Sequence, residues 1–121
     1  MVNKEVILYF EDDVPISNIA KKQLKKAFPK YEIILNAGDG VSEVLNQIGG
    51  VERIVMVCTD GTLTSNLGWY VVKELKQKGY CGPALYTGAR PLPEEEEYLY
   101  VGKAEKLGEE LINAIKKYIK E

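Results

Sequence analysis

The sequence contains no histidine and only two cysteines among its 121 residues. The absence of histidine excludes a Ser-His or Cys-His catalytic pair within this chain, and two cysteines are too few for a disulfide scaffold or for most zinc sites. Neither sign of charge is in large excess, because the chain has 16 Lys and Arg residues and 18 Asp and Glu residues, for a net charge of −2. Nucleic-acid-binding domains normally carry a basic excess on one face, so we expect no nucleic-acid partner.

Long apolar runs are absent as well. The longest, residues 6–10 and 54–58, are five residues each, whereas a helix that spans a bilayer needs about 20 apolar residues. The first residues also lack the apolar stretch of a secretory signal. The chain is 45% hydrophobic and 28% charged, which is typical of a globular protein. We therefore expect a single domain over residues 1–121, located in the cytoplasm and without a membrane partner.

Strand-like and helix-like segments alternate five times along the chain. Short apolar runs predict strands at residues 6–10, 32–35, 54–58, 84–87 and 98–101. Apolar residues recur at helical spacing between these runs, and the last helix carries Leu107, Leu111, Ile115 and Tyr118 on one stripe. Regular alternation of this kind predicts an α/β fold, in which helices cover both faces of a parallel sheet.

The connection between the fourth and fifth predicted strands differs from the others. Residues 88–97 contain two prolines and no apolar stripe. At most one helical turn fits there, beginning at Pro93, with four consecutive glutamates near the positive end of its dipole. We therefore expect the fourth helix to be truncated.

Polar side chains follow several of the predicted strands. In a parallel sheet, ligands bind beyond the carboxyl ends of the strands, so these residues are expected to meet at one edge. They are Glu11, Asp12 and Asp13 after the first strand, Asp60 after the third, Thr87 at the end of the fourth and Lys103 after the fifth.

This set of side chains suits phosphoryl transfer. Clustered carboxylates repel one another unless a cation neutralises them, and ligand sets made only of oxygen select a hard ion such as Mg²⁺. Lys103 and Thr87 offer a positive charge and a hydroxyl donor to phosphate oxygens. A remaining carboxylate can act as the nucleophile, since aspartyl phosphates are a known covalent route.

Five motifs, in order, resemble the receiver domains of two-component response regulators over nearly the whole chain. VILYFEDDVPISNIA is similar to the receiver opening, and NAGDGVSEVL to the turn into the second helix. DGTLTSNLG is similar to the segment that follows the phosphoaccepting aspartate, with Leu63 and Gly68 at the expected spacing. ALYTGAR and YLYVGK resemble the fourth and fifth strands. The chain resembles a stand-alone receiver of the chemotaxis-regulator type.

The resemblance implies a flavodoxin-like, doubly wound sheet with the strand order 2-1-3-4-5 and a role for each strand-end residue. Asp60 would be the phosphoacceptor, Lys103 would pair with the phosphoryl group, and Thr87 and Tyr100 would form the switch. Mg²⁺ would be held by Asp12, Asp60 and the backbone carbonyl of Thr62, with Glu11 acting through water.

The resemblance also implies partners. A sensor histidine kinase or a phosphotransfer protein would donate the phosphoryl group, and an effector protein that the sequence does not name would read the result. The chain would catalyse at most its own phosphorylation and dephosphorylation, and we expect it to be a monomer.

Three departures from the receiver pattern leave an alternative open. Thr64 and Ala104 stand where receivers commonly carry proline, and the fourth helix is shortened. The alternative is an interaction module that kept the fold and works without phosphorylation. A small phosphatase is a third hypothesis, because CTDGTLTS resembles the first motif of haloacid-dehalogenase-type enzymes, although Cys58 replaces the nucleophilic aspartate.

Overall fold

The computed structural model describes residues 4–63 and 66–119, and it contains a parallel sheet at the centre. Five strands form this sheet in the order β2-β1-β3-β4-β5, and every pairing between them is parallel. The α/β fold, the flavodoxin-like topology and the predicted strand order are therefore confirmed. The strands are β1 (Val6–Phe10), β2 (Glu32–Asn36), β3 (Ile54–Thr59), β4 (Ala84–Tyr86) and β5 (Gly102–Lys103).

Four α-helices connect and follow the strands in the described part of the chain. They are α1 (Val14–Ala27), α2 (Val41–Ile48), α3 (Gly68–Gln77) and α4 (Gly108–Lys116), with short 3₁₀ helices at Val51–Arg53 and Glu94–Leu99. Asp13 caps α1 by accepting a hydrogen bond from the Ile16 amide at 3.1 Å. Crossing a bilayer takes more length and more apolar character than any helix within residues 4–63 and 66–119 has.

The sheet separates two hydrophobic cores. Side chains alternate along β1, so Val6, Leu8 and Phe10 face the core formed with α2 and α3. Ile7 and Tyr9 face the opposite core, formed with α1 and α4. All five side chains are fully buried. β1 is therefore an interior strand that is covered on both faces, and both cores depend on its register.

A 3₁₀ helix, Glu94–Leu99, lies between β4 and β5, where the receiver pattern has its fourth helix. The two prolines and the acidic run predicted this truncation. The 3₁₀ helix begins directly after Pro93, and the Glu96 amide donates a hydrogen bond to the Pro93 carbonyl at 2.9 Å. An ion pair of 2.8 Å between Lys73 and Glu96 joins it to α3. The truncated segment is thus an ordered part of the fold.

The position predicted for the fifth strand is wrong. Residues 98–101 were expected to form it, but the sheet pairs Leu85 with Gly102 and Tyr86 with Lys103. Leu99 is buried at the end of the 3₁₀ helix, while Tyr98 is 73% exposed. The 3₁₀ helix includes the first two residues of the apolar run 98–101, and the strand therefore starts later, at Gly102. Tyr118, expected on the stripe of the last helix, lies beyond the end of α4.

Candidate functional site

Three carboxylates meet at the carboxyl edge of the sheet. Glu11 and Asp12 come directly after β1, and Asp60 comes directly after β3, its neighbour in the sheet. The Asp60 amide donates a hydrogen bond to the carbonyl of Phe10 at 3.1 Å, which keeps the ends of the two strands together. One oxygen from each carboxylate lies within 4.8 Å of the others. The predicted acidic cluster is therefore present in the structure.

Lys106 lies against this cluster. Its Nζ is 3.0 Å from Oδ2 of Asp60 and 3.1 Å from Oε1 of Glu11. Burial lowers the pKa of Lys106, but the two carboxylates outweigh that effect and raise it above its usual value. Lys106 is therefore a cation that bridges the two acidic strand ends.

The sequence placed Lys103 in this position, and the structure brings Lys106 there instead. Lys103 is an exposed residue of β5, paired through the backbone with Tyr86. The physical reason is the later start of the strand. A strand at residues 98–101 would have placed Lys103 in the loop just past its carboxyl end, whereas a strand at Gly102–Lys103 leaves that loop to Lys106.

Glu11 is almost completely buried, with 2% of its surface exposed. Burial raises the pKa of its carboxyl group above the usual value, and the nearby charge of Asp60 adds to this effect. The Asp13 amide, which donates to Oε2 at 3.1 Å, and Lys106 lower the pKa by less. The carboxylate of Glu11 is thus electrostatically unfavourable in the folded protein and would gain from further positive charge.

Both oxygens of Asp60 accept hydrogen bonds. Oδ1 accepts from the amide of Gly61 at 2.7 Å, and Oδ2 accepts from Lys106 at 3.0 Å. The first residue of α3, Gly68, packs directly against the backbone of Asp60. A Cβ at this position would overlap the Asp60 carbonyl oxygen. The glycine of the DGTLTSNLG motif therefore allows α3 to begin against the acidic residue.

Thr62, a predicted metal ligand through its carbonyl, lies two residues after Asp60. It is exposed and forms an antiparallel bridge with Leu67. Arg90 donates a hydrogen bond of 3.5 Å to its hydroxyl group and also lies 5.5 Å from the ring centre of Trp69. Thr64, one of the departures from the receiver pattern, lies outside the described residues.

Thr87 and Tyr100 are the predicted switch residues. Thr87 follows β4 directly, and its amide donates to the carbonyl of Thr59 at 3.0 Å. Its hydroxyl oxygen is buried and makes no hydrogen bond within residues 4–63 and 66–119. Tyr100 is half-buried, and its ring meets that of Tyr86 edge to face at 5.3 Å between centroids. Burial raises the pKa of Tyr100 above its usual value.

Tyr9 is a site residue that the sequence interpretation missed. Its hydroxyl group donates a hydrogen bond of 2.8 Å to the backbone carbonyl of Lys106. Burial raises the pKa of Tyr9 well above its usual value, and the nearby Thr87 hydroxyl offsets part of that shift. The continuous apolar run of β1 gave no sign of a polar contact, and only the position of Tyr9 near the strand end would have suggested one.

The residues present fit a hard divalent cation. The cluster offers oxygen atoms only, from two adjacent loops, and this is the donor set that Mg²⁺ prefers. A cavity of 720 Å³ is lined by Thr87, Lys103 and Lys106 among others, and the three clustered carboxylates do not line it. Thr87 and Lys106 therefore border open space at this edge of the sheet, on the side of the loop that follows β5.

Solved structures of receiver domains are similar to this chain. Chemotaxis protein CheY4 of Vibrio cholerae is 19% identical with a TM-score of 0.75, and the match covers 97% of this chain and 100% of that one. Response regulator TrrA of Thermotoga maritima, in complex with Mg²⁺-BeF, is 20% identical with a TM-score of 0.74, over 95% and 99% of the two chains. The signal receiver domain of a DNA-binding response regulator from Colwellia psychrerythraea 34H is 17% identical with a TM-score of 0.73, over 94% and 97%.

These similarities show that the chain has the fold of the response regulator receiver domain. No protein family model matches the sequence, and the search of curated proteins finds no match either.

Proposed function

We propose that this protein is a phosphoacceptor receiver of a two-component signalling system. The observation that carries the proposal is the Lys106 bridge between Asp60 and Glu11, with Asp12 in the same cluster at the carboxyl edge of a receiver-type sheet. Such an edge combines a carboxylate nucleophile, a cation for the phosphoryl oxygens and ligands for a divalent ion.

Asp60 is the phosphoacceptor in this proposal. A histidine kinase or a phosphotransfer protein presents a phosphohistidine. Its P–N bond breaks as a P–O bond forms to a carboxylate oxygen of Asp60, and the released imidazole retains the electron pair of the broken bond. Mg²⁺, when bound, supplies positive charge to the carboxylate and the phosphoryl oxygens. Asp12, Asp60 and the carbonyl of Thr62 would hold it, with Glu11 acting through water.

Lys106 takes the role that the resemblance implied for Lys103. Its ammonium group already contacts Asp60, so it can pair with an oxygen of the phosphoryl group after a small displacement. The buried hydroxyl of Thr87 is the second donor. A buried donor without a partner costs about 1–3 kcal/mol, and a hydrogen bond to a phosphoryl oxygen would recover that cost. Tyr100 would respond to the movement of Thr87.

The remaining parts of the proposal concern the activity, location and partners of the protein. The protein acts as a switch and not as an enzyme with turnover, and it works in the cytoplasm, where histidine kinases present their phosphoryl groups. Its downstream partner is a protein that reads the phosphorylated state. We propose that it does so as a monomer that contacts neither nucleic acid nor membrane.

Phosphorylation by a small acyl phosphate tests the proposal. Incubation with acetyl phosphate and Mg²⁺ should add the mass of one phosphate, and hydroxylamine should remove it, as expected for an acyl phosphate. The Asp60→Asn variant should not be labelled, whereas Asp39→Asn, which changes an exposed aspartate in the loop after β2, should be labelled like the parent. Equal labelling of Asp60→Asn would refute the assignment.

The second candidate function is an interaction module that works without phosphorylation. It is favoured by the 3₁₀ helix that replaces the fourth α-helix, and by the two hydrogen bonds that satisfy Asp60 without a phosphoryl group. Titration with Mg²⁺ separates the candidates. Because Arg90 contacts both Thr62 and the ring of Trp69, binding near Thr62 should change the tryptophan fluorescence. A module that lost the switch would show no change.

The phosphatase hypothesis has little support. Cys58, which stands in place of the nucleophile, is fully buried, and burial raises the pKa of its thiol to about 12. It therefore stays protonated and inaccessible at neutral pH. The absence of turnover with a generic phosphomonoester would complete its exclusion.

A further inference from the structure

The loop between β5 and α4 carries Lys106 at its centre, and backbone atoms of this loop and of the first residue of α4 make three hydrogen bonds to the rest of the fold. At its start, the Ala104 amide donates to the Tyr86 carbonyl at 3.0 Å. At its end, the Gly108 amide donates to the side chain of Gln23 at 2.8 Å. In the middle, the carbonyl of Lys106 accepts a hydrogen bond from the hydroxyl group of Tyr9 at 2.8 Å.

The bond from Tyr9 acts on the same residue that bridges the carboxylates. Tyr9 belongs to β1, a central strand, and its ring is fully buried, so its hydroxyl oxygen is a rigid point of attachment. The backbone of Lys106 is held at that point, while its Nζ extends to Asp60 and Glu11. Lysine is a flexible chain that loses many conformations when its end is fixed, so an anchored backbone limits what the charged end can reach.

We propose that Tyr9 is a positioning residue, whose hydroxyl group holds the Lys106 ammonium between Asp60 and Glu11 and thereby sets the rate of phosphoryl transfer to Asp60. The role rests on the proposed function. Tyr9 touches neither the phosphoryl group nor the metal. Its hydroxyl group has two polar neighbours, the Lys106 carbonyl, to which it donates at 2.8 Å, and the Thr87 hydroxyl, and the positioning role is assigned to the first of these contacts. The aromatic ring alone would fill the core between α1 and α4, so the core does not require the hydroxyl group.

The chain provides a matched control in Tyr80. This tyrosine is also buried, burial also raises its pKa, and its hydroxyl group also donates to a backbone carbonyl, that of Pro83, at 2.5 Å. Tyr80 lies after α3, before the start of β4, and is therefore near the opposite edge of the sheet from the acids. Tyr9→Phe and Tyr80→Phe thus remove the same kind of hydrogen bond, and only one of them concerns Lys106.

The first experiment measures phosphorylation by acetyl phosphate with Mg²⁺ in a double-mutant cycle. Tyr9→Phe should slow labelling about tenfold or more, since small misplacements of a charged group at a reacting centre are costly. Tyr80→Phe should label like the parent. In a Lys106→Met background, Tyr9→Phe should cause no further loss, because the residue through which it acts is gone. A full further loss in that background would overturn the proposal, as would an unchanged rate for Tyr9→Phe alone.

The second experiment measures the position of Lys106 without any phosphoryl transfer. Acylation of lysines by acetic anhydride, followed residue by residue by mass spectrometry, should find Lys106 protected relative to the exposed Lys103 in the parent. Tyr9→Phe should raise the reactivity of Lys106 relative to Lys103, and Tyr80→Phe should not. An unchanged ratio in Tyr9→Phe would overturn the positioning role even if the protein is phosphorylated. Conversely, a parent protein that takes no phosphoryl group would overturn the proposed function, and the acylation ratio would still decide whether Tyr9 positions Lys106.

Discussion

Lys106 and Asp60 are 46 residues apart in sequence, and Nζ of the lysine lies 3.0 Å from Oδ2 of the aspartate. Lys103, only three residues before Lys106, is exposed on the short β5 strand. The difference is geometric, because one lysine belongs to the strand and the other to the loop that returns over its carboxyl end. Which lysine lies against the acidic cluster therefore depends on where a two-residue strand begins.

Replacement of each lysine by alanine, in separate variants, tests this relationship. Lys106→Ala should reduce labelling of Asp60 by acetyl phosphate about a hundredfold, since it removes the fixed positive charge beside the reacting carboxylate. Lys103→Ala should remain close to the parent rate. The measurement is the initial rate of mass gain at saturating Mg²⁺. A larger loss in Lys103→Ala would return the role to the residue that the sequence motif indicated.

Removal of the buried charge at Glu11 should stabilise the protein in the absence of metal. The pKa of this carboxyl group is raised by burial, so its ionised form opposes folding at neutral pH. Glu11→Gln should raise the melting temperature at pH 7 by roughly 2–5 °C. Glu5→Gln, an exposed glutamate just before β1, is the control and should change it little. A lower melting temperature for Glu11→Gln would mean that the ion pair with Lys106 outweighs the cost of burial.

Magnesium should stabilise the parent protein through the acidic cluster. A ligand that binds only the folded state raises the free energy of unfolding, by about 2.7 kcal/mol when its free concentration is a hundred times Kd, and the melting temperature rises with it. Asp12→Asn should abolish this increase, because it removes one of the three clustered carboxylates. Asp39→Asn should retain it. Differential scanning fluorimetry with Mg²⁺ and with a monovalent salt of equal ionic strength makes the comparison, and retained stabilisation in Asp12→Asn would place the ion elsewhere.

The 3₁₀ helix Glu94–Leu99 should keep the protein monomeric after phosphorylation. A surface that lacks a full fourth helix offers less area for packing, and interfaces much below about 1,000 Å² are seldom stable. Exposed glutamates of this segment would also repel their counterparts across a two-fold axis. Sedimentation with and without beryllofluoride should show one species. A shift to dimer through this face would contradict the prediction.

Most of the fold followed from the sequence because its apolar pattern is unambiguous. The residues predicted for β1 are those of the strand, and β2, β3 and β4 differ from their predictions by one residue at the carboxyl end. The exception is β5. Residues 98–101 have the apolar pattern of a strand, yet the side chains of Leu99 and Tyr98 point to different environments, one buried and one exposed, on a 3₁₀ helix. Local pattern does not distinguish these outcomes, because the burial of Leu99 in the core is a tertiary contact that the apolar pattern alone does not show.

The site was predictable where it depends on strand ends and unpredictable where it depends on the path of a loop. Glu11, Asp12 and Asp60 follow long buried strands, and their convergence needs only the order of the sheet. The choice between Lys103 and Lys106 needs the path of the chain after β5. The contact of Tyr9 was hidden for another reason, since a tyrosine within an apolar run looks like any other core residue until the atom opposite its hydroxyl is known.

The alternation of side chains along β1 has a consequence for how this protein tolerates insertions and deletions. Tyr9 and Glu11 are two positions apart, and both contact the same lysine, one at its carbonyl and the other at its ammonium group. A single residue inserted within the strand would exchange the two cores and would also turn Tyr9 away from the loop that it anchors. The same insertion between Gly88 and Pro93 would leave the register of β1 and the contact of Tyr9 with the loop unchanged. In related sequences, insertions and deletions should therefore be found before the 3₁₀ helix and be rare in the first strand, where core packing and the contacts with Lys106 depend on one register.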